Sequence, residues 1–271
     1  MTRLALTLLL GTVGGLAVAQ EPIKLAGGVA PEAAAVTPVA RVEVATKPAV
    51  NAAELLPKAL ADAKAVLGKT RDYTGHLVRQ ERVRGKLAAE TVAELRVRLE
   101  PFAIDIKTTK PLALAGEETS YVPGKNRLNV RYRAPGVDGV KGFTTVEAGG
   151  AKALANSRHP AAGYGLTAMI DRVEKLLEVE KHLQNPVAVY AAEYAIAGKP
   201  VTRFEVVAER QHAARYAHRV VLFVEAESKL PARFEAYDTP KAIGGEGDLI
   251  EVQSVVGLKM NVGLGERDFD R

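Results

Sequence analysis

The sequence predicts an α+β fold in which a large antiparallel sheet is packed by two helices. Three observations point there. Apolar residues recur at three- and four-residue intervals in only two stretches, 51–67 and 166–182. Beyond residue 70 they otherwise alternate with polar residues at period two, as strands with one wet face do. The order runs helix, about five strands, helix, about six strands, with no repeating strand–helix unit to build a parallel sheet.

Asn51 followed by Glu54 is a capping-box-like start, since both side chains can serve orphan N–H groups of the first turn. Leu55, Leu56, Ala59, Leu60, Ala63, Val66 and Leu67 then form one apolar stripe, ended by Gly68. Pro57 falls in the first two turns, where a missing N–H costs little. The period changes at Asp72. Residues 73–83 read as a strand and Arg84-Gly85 as a tight turn. Along 91–100, Ala93, Leu95, Val97 and Leu99 share one face, and Val92, Glu94, Arg96, Arg98 and Glu100 share the other. Pro101 breaks that ladder. Phe102, Ile104 and Ile106 then face away from Asp105 and Lys107. Residues 117–122 and 127–132 flank a Pro123-Gly124-Lys125-Asn126 turn. After the second helix, strands return at 188–196, 201–208, 219–225, 232–237, 249–256 and 258–262.

Residues 1–19 stand apart from this domain. Arg3 gives a short positive start, residues 4–16 are apolar apart from Thr and Gly, and Ala17-Val18-Ala19 supplies the small-x-small site of a cleaved secretory signal. The apolar run is shorter than the ~20 residues that span a bilayer. No Cys follows it, so a lipid anchor at that position is not expected. Residues 20–50 hold eight Ala, six Val and four Pro with no aromatic, which suits an extended linker better than a packed element. That leaves 51–271 as a single domain, large enough to bury a core without staples.

Composition excludes more chemistry than it suggests. The chain of 271 residues contains no Cys, so thiolate catalysis, iron–sulfur clusters and Cys-type zinc sites are ruled out. Its net charge of +5 is too small to argue for nucleic acid. None of Ser120, Ser157, Ser228 and Ser254 lies in G-x-S-x-G. Ser157-Arg158-His159 puts a Ser beside a His without triad geometry. His76, His159, His182, His212 and His218 show no metal-ligand spacing, and no cofactor is expected. Gly163-Tyr164-Gly165-Leu166-Thr167-Ala168 matches a dinucleotide fingerprint, but no strand precedes it, so it reads as a loop before the helix. The densest positive cluster is His76, Arg79, Arg82, Arg84 and Lys86. Without interleaved aromatics it does not fit RNA, whereas Arg79, Arg82, Arg84 and Lys86 are candidates for anionic head groups, or simply a solvated face.

Three segments carry a resemblance: Y-T-G-H-L-V-R-Q-E-R-V-R-G-K-L from Tyr73, L-P-A-R-F-E-A-Y-D from Leu230, and K-M-N-V-G-L-G-E-R-D-F-D from Lys259. Together they resemble a family of secreted bacterial domains of unknown function. That family is similar to the outer-membrane lipoprotein-sorting superfamily of the LolA and LolB carriers. The resemblance implies a curved, incomplete β-barrel with the helices as a lid over an apolar hollow that accepts acyl chains. It carries over no catalytic residue.

On that fold Leu95, Val97, Leu99, Phe102, Ile104, Ile106 and Phe234 are candidates to line the hollow, each methylene of a ligand gaining ~0.8 kcal/mol on leaving water. Alternatively the helices fill the same face and leave only a packed core. The leading expectation is therefore a non-enzymatic, periplasmic or envelope protein that binds a lipid or lipidated partner and does not span the membrane. A scaffold for an envelope protein, or a hydrolase acting on the envelope, remain the alternatives.

Overall fold

The computed structural model describes residues 42–43, 52–125, 129–208, 215–242 and 245–270. The expected signal at 1–19, Asn51 and all of the 20–50 linker except Val42 and Glu43 lie outside the described residues.

The elements follow the periodicities. In chain order they are β1 (Val42–Glu43), α1 (Ala52–Leu67), β2 (Asp72–Val83), β3 (Lys86–Leu87), β4 (Thr91–Arg98), β5 (Ala103–Lys110), β6 (Glu118–Tyr121), β7 (Asn129–Arg133) and β8 (Thr144–Glu147). Then come α2 (Leu166–His182), β9 (Val187–Ile196), β10 (Lys199–Ala208), β11 (Arg219–Glu225), β12 (Pro231–Tyr237) and β13 (Leu249–Met260). The stretches read as separate strands at 249–256 and 258–262 are one strand, β13. Its register to β2 shifts between Val256 and Lys259, where Gly257 takes φ 64°.

All pairings are antiparallel, in the order β1-β9-β10-β11-β12-β13-β2-β4-β5-β6-β7-β8, with β3 folded back on β2. The sheet is open, and β1 and β8 are its two edges. Its two meanders are stitched together in the middle by β13 against β2, where Glu251 stands opposite Glu81 and Val255 opposite Leu77.

Both helices lie on one face. α1 buries Ala52, Leu56, Leu60, Ala63 and Leu67, and α2 buries Leu166, Met169, Ile170, Val173 and Leu176. They meet Leu77, Leu95, Val97, Ile104, Leu222 and Phe234 from the sheet in a single core. Each Leu or Ile so buried contributes about 1.5–3 kcal/mol relative to exposure. α2 is fixed at its start: the Leu166 N–H donates to the Tyr73 hydroxyl at 3.0 Å. That approach needs Gly165, whose φ is 91° and where a Cβ would lie 2.4 Å from the same oxygen.

The opposite face is covered in part by the C-terminal segment, where the third resemblance motif meets Asp72, the residue just before the first. Asn261 N–H donates to the Asp72 carbonyl at 2.7 Å, and Gly263 N–H to the Asp72 carboxylate at 3.1 Å. Phe269, 1% exposed, seats beneath the Arg98 guanidinium, while its carbonyl accepts from Ser120 Oγ at 2.9 Å.

Candidate functional site

The helix-covered face is set by strand alternation. Leu95 and Val97 on β4 and Ile104 and Ile106 on β5 all point into it, with Phe234 of β12 across the sheet. These five are buried, and Leu99 and Phe102 pack at their margin. The seven residues expected to line a hollow thus share one face, where α1 and α2 pack over them.

An open volume lies to one side. Between α1 and β9–β11 is a cavity of about 260 Å³. Its apolar floor is Ala59, Phe204 and Val224, with Leu55 at the edge. Its rim is charged in both senses: Lys58 and Lys229 against Asp62, Glu193 and Glu225. Lys58 is tied to Asp62 at 2.7 Å and Glu225 to Lys199 at 2.7 Å, so Lys229 is the rim lysine without an ion pair among the described residues.

The structure divides the basic cluster. Arg79 points inward from β2 and is 6% exposed, with its Nη1 donating to Ser157 Oγ at 2.9 Å. Arg82 is held by the Leu249 carbonyl at 3.0 Å and the Gly85 carbonyl at 3.1 Å. Arg84 and Lys86 are exposed at the hairpin tip.

Arg79 belongs to a buried polar network that the sequence reading missed. Tyr164 Oη donates to Glu81 Oε1 at 2.8 Å, and the Arg79 guanidinium stacks 4.6 Å from the Tyr164 ring centre. On the neighbouring strand, Glu251 receives His159 Nε2 at 2.6 Å and the Tyr216 hydroxyl, with Arg172 Nη1 at 3.4 Å. Burial alone would raise the Glu251 pKa, but the His159 bond and the Arg172 charge hold it below its ordinary value. Burial beside Glu81 and Glu251 pushes the Tyr164 and Tyr216 hydroxyls well up, so both remain donors. One signal could have exposed this network: Arg79, Glu81, Glu251 and Gln253 occupy the core phase of their strands, where Leu77 and Val255 are the apolar neighbours.

Glu81, His159 and Glu251 place one ligand atom each within 4.8 Å of one another, a spacing that suits a cation. The guanidinium groups of Arg79 and Arg172 already face the same two carboxylates at 3.4 Å. A divalent ion would have to share them with two fixed positive charges, so the donor set fits a structural network better than a metal centre. The adjoining pocket, lined by Arg79, Ser157, His159 and Tyr164, is about 20 Å³, room for a single water.

An open antiparallel sheet, not closed into a barrel, with two helices on one face defines an α+β fold. Within that class, the chain belongs to the DUF1571 family, described as proteins of unknown function, which it matches over residues 70–271. No functionally curated protein matches it. Among solved structures it is similar to an uncharacterized conserved protein from Thermus thermophilus, at 12% identity and TM-score 0.46, covering 79% of this chain and 92% of that one. It is also similar to a chain of the Pseudomonas aeruginosa MucA/MucB complex, at 16% identity and TM-score 0.44, covering 81% and 60%. A LolA superfamily protein from Nitrosomonas europaea matches at 12% identity and TM-score 0.30, covering 82% and 99%. No described helix is long and apolar enough to cross a membrane.

Proposed function

We propose that the protein is an exported, non-enzymatic binding module of the cell envelope that holds an acyl chain of a lipid or lipidated partner. The observation that carries this is the cavity of about 260 Å³ between α1 and β9–β11, apolar at the floor and charged at the rim. An alkyl chain laid on Ala59, Phe204 and Val224 gains about 0.8 kcal/mol per methylene. Lys229 stands at the rim to meet an acidic head group. Leu95, Val97, Leu99, Phe102, Ile104, Ile106 and Phe234 are the deeper apolar face in this reading, covered by α1 and α2. Residues 1–19 support the exported location through their secretory pattern.

A second reading, a scaffold for an envelope protein, is favoured by β8. That strand ends the sheet with exposed Thr144, Thr145 and Glu147 and an edge open to a partner strand.

Native mass spectrometry after gentle purification separates the two. Acyl-chain binding gives lipid adducts together with uptake of a fluorescent fatty acid. A clean apo mass without uptake contradicts it.

A further inference from the structure

Two side chains are exposed far beyond what an apolar residue in a folded protein usually shows: Leu112 at 89% and Val140 at 86%. Leu112 lies on the turn after β5, and Val140 on the turn after β7. Strand pairing places both turns at one end of the sheet, since Glu118 at the start of β6 pairs with Arg133 at the end of β7. The Gly136 N–H, donating to the Ala115 carbonyl at 3.5 Å, ties one turn to the other.

The β2–β3 hairpin ends at the same side, because Val92 at the start of β4 pairs with Lys110 at the end of β5 and with Val78 of β2. Its tip carries Leu87, 40% exposed. Each apolar tip has cations beside it: Arg84 and Lys86 on the hairpin, Lys110 before Leu112, and Lys141 after Val140. All four are exposed and make no ion pair among the described residues; acidic residues at this end include Glu90, Asp138 and, on the turn before β13 beside Arg82, Asp248, which is paired with Lys241.

We propose that this end of the sheet docks the protein on an anionic lipid surface, with Leu87, Leu112 and Val140 entering the head-group layer and the four cations meeting lipid phosphates. Separate apolar tips, each flanked by positive charge, match a shallow insertion into an interface. A protein partner would instead select a contiguous apolar patch with a packed centre. The acyl cavity lies at the other end of the sheet, where Val201 pairs with Glu225, so docking stands or falls independently of what fills that cavity.

The test is co-sedimentation of the full chain with vesicles of phosphatidylcholine alone or with one-quarter phosphatidylglycerol, scored by partition coefficient. Leu112→Ser/Val140→Ser is expected to weaken partition to the anionic vesicles by about 10-fold or more. Lys86→Gln/Lys110→Gln/Lys141→Gln is expected to weaken it by about 100-fold. Every variant retains residues 1–19, so the differences report the loops, and unchanged circular dichroism melts show that each still folds. Equal binding to both vesicle types, or wild-type partition by the Leu112→Ser/Val140→Ser variant, overturns the proposal.

Discussion

Tyr164 Oη donates to Glu81 Oε1 at 2.8 Å, joining the segment just before α2 to the buried end of β2. The same segment also reaches the other meander: Glu81 stands opposite Glu251, and Glu251 holds His159. The segment over the sheet is therefore fixed by charged hydrogen bonds in a buried site as well as by apolar contact.

Tyr164→Phe removes a hydrogen bond to a charged group while leaving Glu81 with Arg79, a loss of about 1.5–3 kcal/mol. In a domain of this size that is a fall of roughly 3–12 °C in melting temperature. Glu251→Leu is expected to cost more, about 3–5 kcal/mol, because it strands Arg172 and His159 in a buried site. Thermal melts of the two variants check the order.

Gly165 and Tyr73 give a coupled pair. Gly165→Ala puts a Cβ 2.4 Å from the Tyr73 hydroxyl at φ 91°, so it combines a clash with backbone strain. Tyr73→Phe removes the oxygen that is struck, and the next nearest ring atom is 3.6 Å away. The double variant should therefore be more stable than the sum of the single losses predicts. A double-mutant cycle by urea unfolding measures that coupling.

Asp105 makes stability fall as pH rises. Burial, then the Glu118 charge, lifts its pKa to about 7, with Arg96 and Lys107 pulling the other way. In the unfolded chain an Asp titrates near 3.9. The folded state therefore prefers the protonated form, and its ionisation costs stability progressively between about pH 4 and 7. Asp105→Asn should raise the melting temperature at pH 8 and change it little at pH 4. Equal shifts at both pH values would assign the effect to something other than ionisation.

Phe269→Ala should cost about 3–5 kcal/mol, the range for a buried Phe, because the ring is 1% exposed beneath Arg98. Hydrogen exchange should then show deprotection concentrated in 261–270 and in β6, where Ser120 holds the Phe269 carbonyl.

Much of the fold is legible in the sequence because alternation is a local signal. The stripe from Leu55 to Leu67 and the faces of β4 and β5 follow directly from spacing. The pairing of β13 with β2 is not legible, since nothing local in 249–260 specifies a partner so distant along the chain. β8 escaped because Thr144-Thr145-Val146-Glu147 is short and its residues are mostly exposed at the sheet edge. The buried network escaped for a different reason. A charged residue in a strand reads as the wet face, and only its phase relative to Leu77 and Val255 shows that Glu81 and Glu251 point inward. Burial also decides the fate of the basic cluster: Arg79 is enclosed, whereas Arg84 and Lys86 reach solvent.

Acyl-chain binding, as proposed, takes place in the cavity between α1 and β9–β11. Titration of a fluorescent fatty acid into wild type and Ala59→Trp tests it most directly, because the indole fills the cavity from the helix side. Wild type is expected to show saturable uptake, weakened at least ~10-fold in Ala59→Trp, and unimpaired in Leu112→Ser/Val140→Ser. Equal uptake by Ala59→Trp and wild type, with both folded, would contradict it.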